Sequence, residues 1–374
     1  MMALVLNEEQ LMLKDSARDF LKGRAPVSHL RGLRDSANEE GFSRELWSEM
    51  VEMGWPAILV PEQYGGLEYG YTGMGIILEE CGRTLTPSPL LCTSMMGAAA
   101  IVKAGSDAQR EAILPGIAKG ECLLALACDE SSRHAPHKVL TGATENDASY
   151  RINGRKVAVA DGHIADMFIV SAKTGKDLSL FLVPADARGV TVDSYHVLDT
   201  HLAANVSFDQ VEVGEQDLLG SLNGGIKTLD YVLDVGRVGV AAELLGVTRE
   251  AFERTVQYLK ERKQFGVTIG NFQALQHRAA HLFAEIEMCK SLVIKALQTL
   301  DELTDGDAEL VSLTKAKLTE TARLATTEAI QMHGGIGMTD EFDIGFFLKR
   351  CRILESLFGD HYYHLDRFAR QRGY

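Results

Sequence analysis

The apolar positions of this chain recur with two different periods, and the change from one to the other divides it. Up to about residue 120 the spacing is helical. LMLKDSARDFLK gathers its apolar residues on one face, and Asn7 followed by Gln10 in front of it has the form of a capping box. SRELWSEMVEMG repeats the helical spacing, and the loop PEQYGG, Pro61 to Gly66, punctuates two such helices. From about 121 to 222 short alternating runs take over. DMFIVSA, LSLFLVPA and NVSFDQVEV have strand lengths, and Asn153-Gly154 in YRINGRKVAVADG is the preferred two-residue hairpin turn. After Gly225 long helical runs return, beginning TLDYVLDVGRVGVAAELLGVTREAFERTVQYLKERKQFG and meeting few breakers before HGGIG at 333–337. Four or five such helices with short joints pack as an antiparallel bundle. The expected fold class is therefore α+β, with an N-terminal helical domain over 1–120, a middle antiparallel β-barrel-like domain over 121–222 and a C-terminal four-helix bundle over 223–374.

Composition narrows the function more than the fold. A chain of 374 residues with 46% hydrophobic content supports two or three cores. A net charge of −14 disfavours attraction to phosphate backbones or anionic lipid, so neither nucleic acid nor a membrane is expected as a partner. The start, MMALVLNEEQ, turns acidic before an apolar run reaches signal length, and no eighteen consecutive apolar residues occur, so the expected location is cytoplasmic. Six cysteines without a CxxC pair suggest buried thiols rather than disulfides or zinc, and His361 and His364, spaced H-x-x-H, have no third ligand nearby, so no metal is expected.

PEQYGG, INGRK, FDQVEVGEQDLLG, RKQFG at 262–266 followed by NFQALQ, and QMHGGIG are each weak signals, but their order and spacing resemble the acyl-CoA dehydrogenase family over nearly the whole chain. The resemblance implies a flavin enzyme oxidising the Cα–Cβ bond of an acyl-CoA, passing electrons to an electron-transfer flavoprotein or a similar acceptor. It also implies assembly as a dimer or tetramer, with FAD held by half-sites from two subunits. In the half lent to a neighbour, Arg262 and Phe265 match residues at the pyrophosphate and adenine side, Gln273 follows, and Gln331, Gly334 and Gly335 form a second strip. An arginine suits a diphosphate through its permanent charge and forked donors, and glycines let backbone N–H groups come close. The half kept by the chain itself departs from the family pattern. DESSRHAPHK from Asp129 lacks the glycines and serine of the usual loop, Ala158 stands at the tryptophan position, and Ala160 at the threonine that bonds the flavin N5. Backbone N–H groups at Ala160 and in the loop remain candidate flavin contacts.

That chemistry requires a carboxylate to remove the α-proton. The family glutamate falls on Phe358, with Gly359 matching its glycine, and the alternative position used by some relatives, before the arginine that Arg237 matches, holds Gly236. Asp360 is the nearest replacement base, although Gly-Asp before HYYHLDRFAR also has the form of a helix N-cap. Asp234 and Arg237 are candidate substrate-channel residues. Three readings follow: a self-sufficient FAD acyl-CoA dehydrogenase with Asp360 as base; a base-less subunit of a hetero-tetramer with a homologous catalytic partner; and an oxidase or monooxygenase of the same fold. The first is the primary expectation and the second its main rival.

Overall fold

The computed structural model describes residues 4–146, 149–303 and 306–374. Helices come first: α1 (Glu8–Arg24), α2 (Val27–Asp35), α3 (Arg44–Glu52), α4 (Tyr71–Thr84), α5 (Ala98–Ala104) and α6 (Asp107–Ala118). Strands follow as β1 (Leu124–Ala127), β2 (Gly142–Asn146), β3 (Ser149–Ala160), β4 (Met167–Thr174), β5 (Asp177–Pro184), β6 (Val190–His196), β7 (Leu202–Gly214) and β8 (Leu218–Leu219). Then come α7 (Gly225–Glu261), the small hairpin β9 (Lys263–Gln264) and β10 (Val267–Thr268), α8 (Gln273–Glu302), α9 (Ala308–His333), α10 (Ile344–Ser356) and α11 (His361–Gln371). The order helices, sheet, helices is the one the periodicity indicates. Contacts gather the chain into two compact units. One joins the described residues up to Asp35, Gly75–Thr86 and Arg237–Tyr374; the other holds Ser36–Met74 and Pro87–Gly236.

In the helical unit the capping box is real: Gln10 N donates to Asn7 Oδ1 (2.8 Å) and Asn7 N to Gln10 Oε1 (3.0 Å). A buried ion-pair chain ties α1 and α4 to α7, with Glu79 accepting from Lys14 (2.5 Å) and Arg249 (2.6 Å). Such charges are tolerated because each buried carboxylate meets a cation.

The second unit is built on an eight-stranded sheet of order β6-β7-β3-β2-β4-β5-β8, with β1 paired to β4. Its core is an alternating inward set that includes Ile152, Phe168, Val170, Phe181, Val206 and Phe208. The sheet is antiparallel in most pairs, but β1 and β2 meet β4 in parallel, at Leu124↔Met167 and Gly142↔Lys173. The long excursion from β1 through β2 and β3 allows that pairing, since parallel neighbours need a crossover rather than a tight turn. Asn153-Gly154 is not a hairpin turn. It lies within β3, which pairs with β2 from Gly142↔Asn153 to Asn146↔Ser149, so the strands join through 147–148, outside the described residues. The glycine serves a close approach instead: Gly154 has φ +156°, a Cβ there would stand 2.4 Å from Thr141 Oγ1, and the β3–β7 register shifts beside it. Among the described residues no helix is long and apolar enough to cross a membrane.

Candidate active site

The strips expected to serve a neighbour's flavin lie side by side in the helical unit. Tyr258, one turn before Arg262 on α7, stacks on His333 at 4.4 Å between ring centroids, and its hydroxyl donates to the His333 carbonyl (3.4 Å). That contact sets the RKQFG hairpin next to the turn that ends α9. Arg262 and Lys263 are exposed, and the Arg262 guanidinium has no partner among the described residues. Phe265 and Gly266 form the two-residue loop between β9 and β10, both with positive φ (+54° and +81°), as a type I′ turn requires. A phenylalanine in the left-handed region is a strained choice, and it is 91% exposed, its ring edge-to-face with that of Phe272. Gln273 opens α8, exposed, and Gln331 is exposed on the last turn of α9. Gly334 is held at φ +65°, ψ −139°, and a Cβ at Gly334 or Gly335 would meet nothing in this chain. The backbone of Gly334 itself calls for glycine, whereas Gly335 has open space beside it.

The corresponding elements of the sheet unit are already satisfied by the chain's own carboxylates. Asp129 accepts from Ala135 N (3.0 Å) and lies 2.7 Å from His134 Nδ1. Glu130 accepts from Leu140 N (2.6 Å), Thr141 N (2.9 Å) and the buried Lys156 ammonium (2.7 Å). Lys156 and Thr141 hold the Glu130 carboxyl below its usual range, against the effect of burial. Three backbone N–H groups of the loop are thus spent on fixed negative charge. Ala158, at φ +51°, and Ala160, paired to Ala203, end β3 with methyl groups only. Sequence reading missed this competition, although two acids opening the loop were its visible sign.

The loop that follows α10 keeps a tightly held geometry around the wrong side chain. Phe358 is buried at φ +58°, and its carbonyl accepts from Arg237 Nε (3.0 Å) and His364 Nε2 (3.2 Å). Gly359, at φ +110°, has no room for a Cβ, which would stand 2.4 Å from the Tyr363 ring. Lys315, fully buried on α9, donates to the carbonyls of Leu354 (3.0 Å), Glu355 (3.2 Å) and Gly359 (3.2 Å). Burial, and then the charge of Arg237, bring its pKa down to about 7. Burial and the same cations keep His364 neutral, pushing it well below its ordinary value. Lys315 was also missed, though a lysine on the stripe of Val311, Leu318, Ala322 and Ala325 was legible. Asp360 is exposed and caps α11, Oδ1 accepting from Tyr363 N (2.8 Å). Asp234 and Arg237 are buried one turn apart on α7, and the Arg237 guanidinium also donates to Tyr363 OH (3.1 Å) and lies over that ring.

Family models for the acyl-CoA dehydrogenase N-terminal, middle and C-terminal domains match residues 7–121, 129–211 and 223–372. The chain belongs to the acyl-CoA dehydrogenase family. It is 30% identical to a probable acyl-CoA dehydrogenase, YngJ, of Bacillus subtilis, over 94% of each chain. It is 28% identical, over 94% of each, to the caffeyl-CoA reductase-Etf complex subunit CarC of Acetobacterium woodii. Among solved structures, a variant of the steroid ACAD named Tcur3481-Tcur3483 superposes with a TM-score of 0.88 at 30% identity, over 98% of each chain. Acyl-CoA dehydrogenases are FAD-dependent oxidoreductases. The lent half of this chain fits that cofactor: Arg262 is an unpaired fork for a diphosphate, and the Gly334-Gly335 backbone is open. In the retained half, Asp129 and Glu130 take the N–H groups of Ala135, Leu140 and Thr141, so those three donors are closed to a flavin.

Proposed function

We propose that this chain is the base-less subunit of an acyl-CoA dehydrogenase assembly and lends Arg262, Phe265, Gln273, Gln331, Gly334 and Gly335 to the flavin of a homologous catalytic partner. The observation that carries the reading is the contrast between halves: open, unpaired groups on the lent side and self-satisfied donors on the retained side. The flavin supplies the hydride acceptor for α,β-dehydrogenation of the acyl-CoA thioester. This chain's contribution is charge and backbone donors at the dinucleotide end, and its Phe358 puts an apolar ring where the partner carries a carboxylate. The double name of the Tcur3481-Tcur3483 steroid ACAD supports a pairing of unlike chains, and the Etf complex named for CarC supports an electron-transfer flavoprotein as acceptor. The hetero-tetramer is the assembly we favour over a homo-oligomer, with domain limits near 120 and 222.

A second reading keeps the chain self-sufficient with Asp360 as base, favoured by a carboxylate two residues past Phe358. Flavin quantitation after gel filtration separates the two. Expressed alone, the chain should hold little FAD and show no substrate-dependent bleaching; co-expressed with a homologue carrying the glutamate, it should enter a mixed assembly with about one flavin per two chains, because only one composite site of each pair has both halves. One FAD per chain and rapid bleaching in the homo-oligomer would sink the partner reading.

A further inference from the structure

The glycine turn that ends α9 has no side chains of its own to hold it, and a Cβ at Gly334 or Gly335 would touch nothing, so its conformation depends on what fixes its two ends. The near end is fixed by His333, which is buried, donates from Nδ1 to the Ala329 carbonyl (2.7 Å), and meets the rings of Tyr258 and Phe342 at 4.4 and 4.9 Å between centroids. Thr339 closes the turn, its N–H and its hydroxyl both donating to the Ile336 carbonyl (3.1 and 2.8 Å). The far end begins at the next residue, Asp340, and is tied to α2, although 306 positions separate it from Arg34. Arg34 takes both oxygens of Asp340 in a fork, Nη1 to Oδ1 (2.7 Å) and Nη2 to Oδ2 (2.9 Å). Arg31 bridges Asp340 Oδ2 (3.0 Å) and Asp343 Oδ1 (2.9 Å). Both guanidiniums lie over the ring of Phe346, 4.8 and 5.1 Å from its centroid, and Phe346 is buried in the first turn of α10. Val27 and Leu30, also buried, anchor α2 itself. A bidentate fork, a shared carboxylate and an aromatic floor make this clasp a network, the circumstance in which partly exposed charges do contribute. The hydrogen bonds from Arg34 hold the Asp340 carboxyl down to about 2, so it stays charged at any working pH.

We propose that Arg31 and Arg34 are positioning residues for flavin binding: through Asp340 and Asp343 they fix the exit of the Gly334-Gly335 turn, so that its backbone meets a partner's cofactor already ordered. The inference rests on the reading that this turn is lent to a neighbour's flavin, and it deepens that reading by naming what sets the turn's affinity. Glycine loses more backbone freedom on ordering than any other residue, and a turn ordered beforehand does not lose that freedom again when the cofactor arrives.

FAD titrated into the flavin-free mixed assembly is the probe. Arg34→Gln and Asp340→Asn should each raise the FAD dissociation constant roughly three- to tenfold, and Asp340→Glu should stay close to the wild type. The double variant R34Q/D340N should lose no more than either single one, because both residues act through one clasp. In the chain alone, hydrogen exchange of the 333–339 amides should quicken in the two single variants while the melting temperature holds. Wild-type FAD affinity in both single variants would overturn the proposal, as would additive losses, or a loss that merely follows the melting temperature or the association of the chains. Arg262→Ala separates this failure from failure of the lent-half reading. If it weakens FAD binding while the clasp variants do not, the clasp alone is rejected; if neither does, both fall.

Discussion

Replacing Lys315 with methionine keeps a long, flexible side chain on α9 and removes the one ammonium that joins α9 to the carbonyls of Leu354, Glu355 and Gly359. Its pKa of about 7 against an ordinary 10.5 has a defined consequence for stability. The folded-state value is the lower one, so between the two values the unfolded chain binds more protons, and stability rises with pH across that window. The slope approaches about 1.4 kcal/mol per pH unit once the folded group is deprotonated; starting from half-protonation near pH 7, the gain by about pH 8.5 is roughly 1–2 kcal/mol. Neighbouring groups leave this window clear. His364, depressed by burial, contributes only as pH rises to about 6.5, the ordinary histidine value, and is finished by pH 7. The buried thiols act above it and in the opposite sense: Cys122 and Cys289 sit at about 11 and Cys351 at about 12, so the unfolded thiols ionise first and stability falls as pH climbs past about 9. Urea unfolding at several pH values should show a steeper rise in the wild type than in Lys315→Met, where the buried Lys156, its pKa also lowered by burial, still contributes in the same sense. Equal slopes in the two proteins would mean that the three carbonyls keep the ammonium charged throughout, and the reasoning from desolvation would fail.

Arg262→Ala should weaken FAD retention in the mixed assembly by about 2–4 kcal/mol, since a diphosphate loses a charge-assisted fork and is left unpaired; unchanged affinity by flavin titration would remove the case for a lent half-site. Asp360→Asn should leave α11 capped, with a stability change within about 0.5 kcal/mol, and leave substrate-dependent bleaching of the mixed assembly intact. Loss of bleaching with flavin retained would instead make Asp360 the base.

What was legible in the sequence was what is local or carried by residue type. The capping box at Asn7 and Gln10 needs only four residues, and RKQFG and HGGIG carry their chemistry in side chain, charge and missing Cβ. Asn153-Gly154 misled because the same dipeptide that favours a tight turn also suits a bulged strand, and only the approach of Thr141 decides between them. The harder case is the retained flavin half. Side chains can be read from letters, but backbone donors are written identically at every residue, and whether they are available depends on what folds back onto them. Asp129 and Glu130 take the loop N–H groups of Ala135, Leu140 and Thr141, and Asp360 takes that of Tyr363 at a helix N-terminus. In each place the protein's own carboxylate takes backbone donors that would otherwise be open to an anionic or acceptor-rich group. A carboxylate tethered in its own loop competes at a very high effective concentration, so a free flavin cannot displace it without extra binding energy from elsewhere. The lent side shows the reverse, with Arg262 unpaired and two glycines packing against nothing. On the proposed reading, the difference between the two half-sites comes down to one property, whether the donors have already been satisfied, and it is a property that only the folded chain displays.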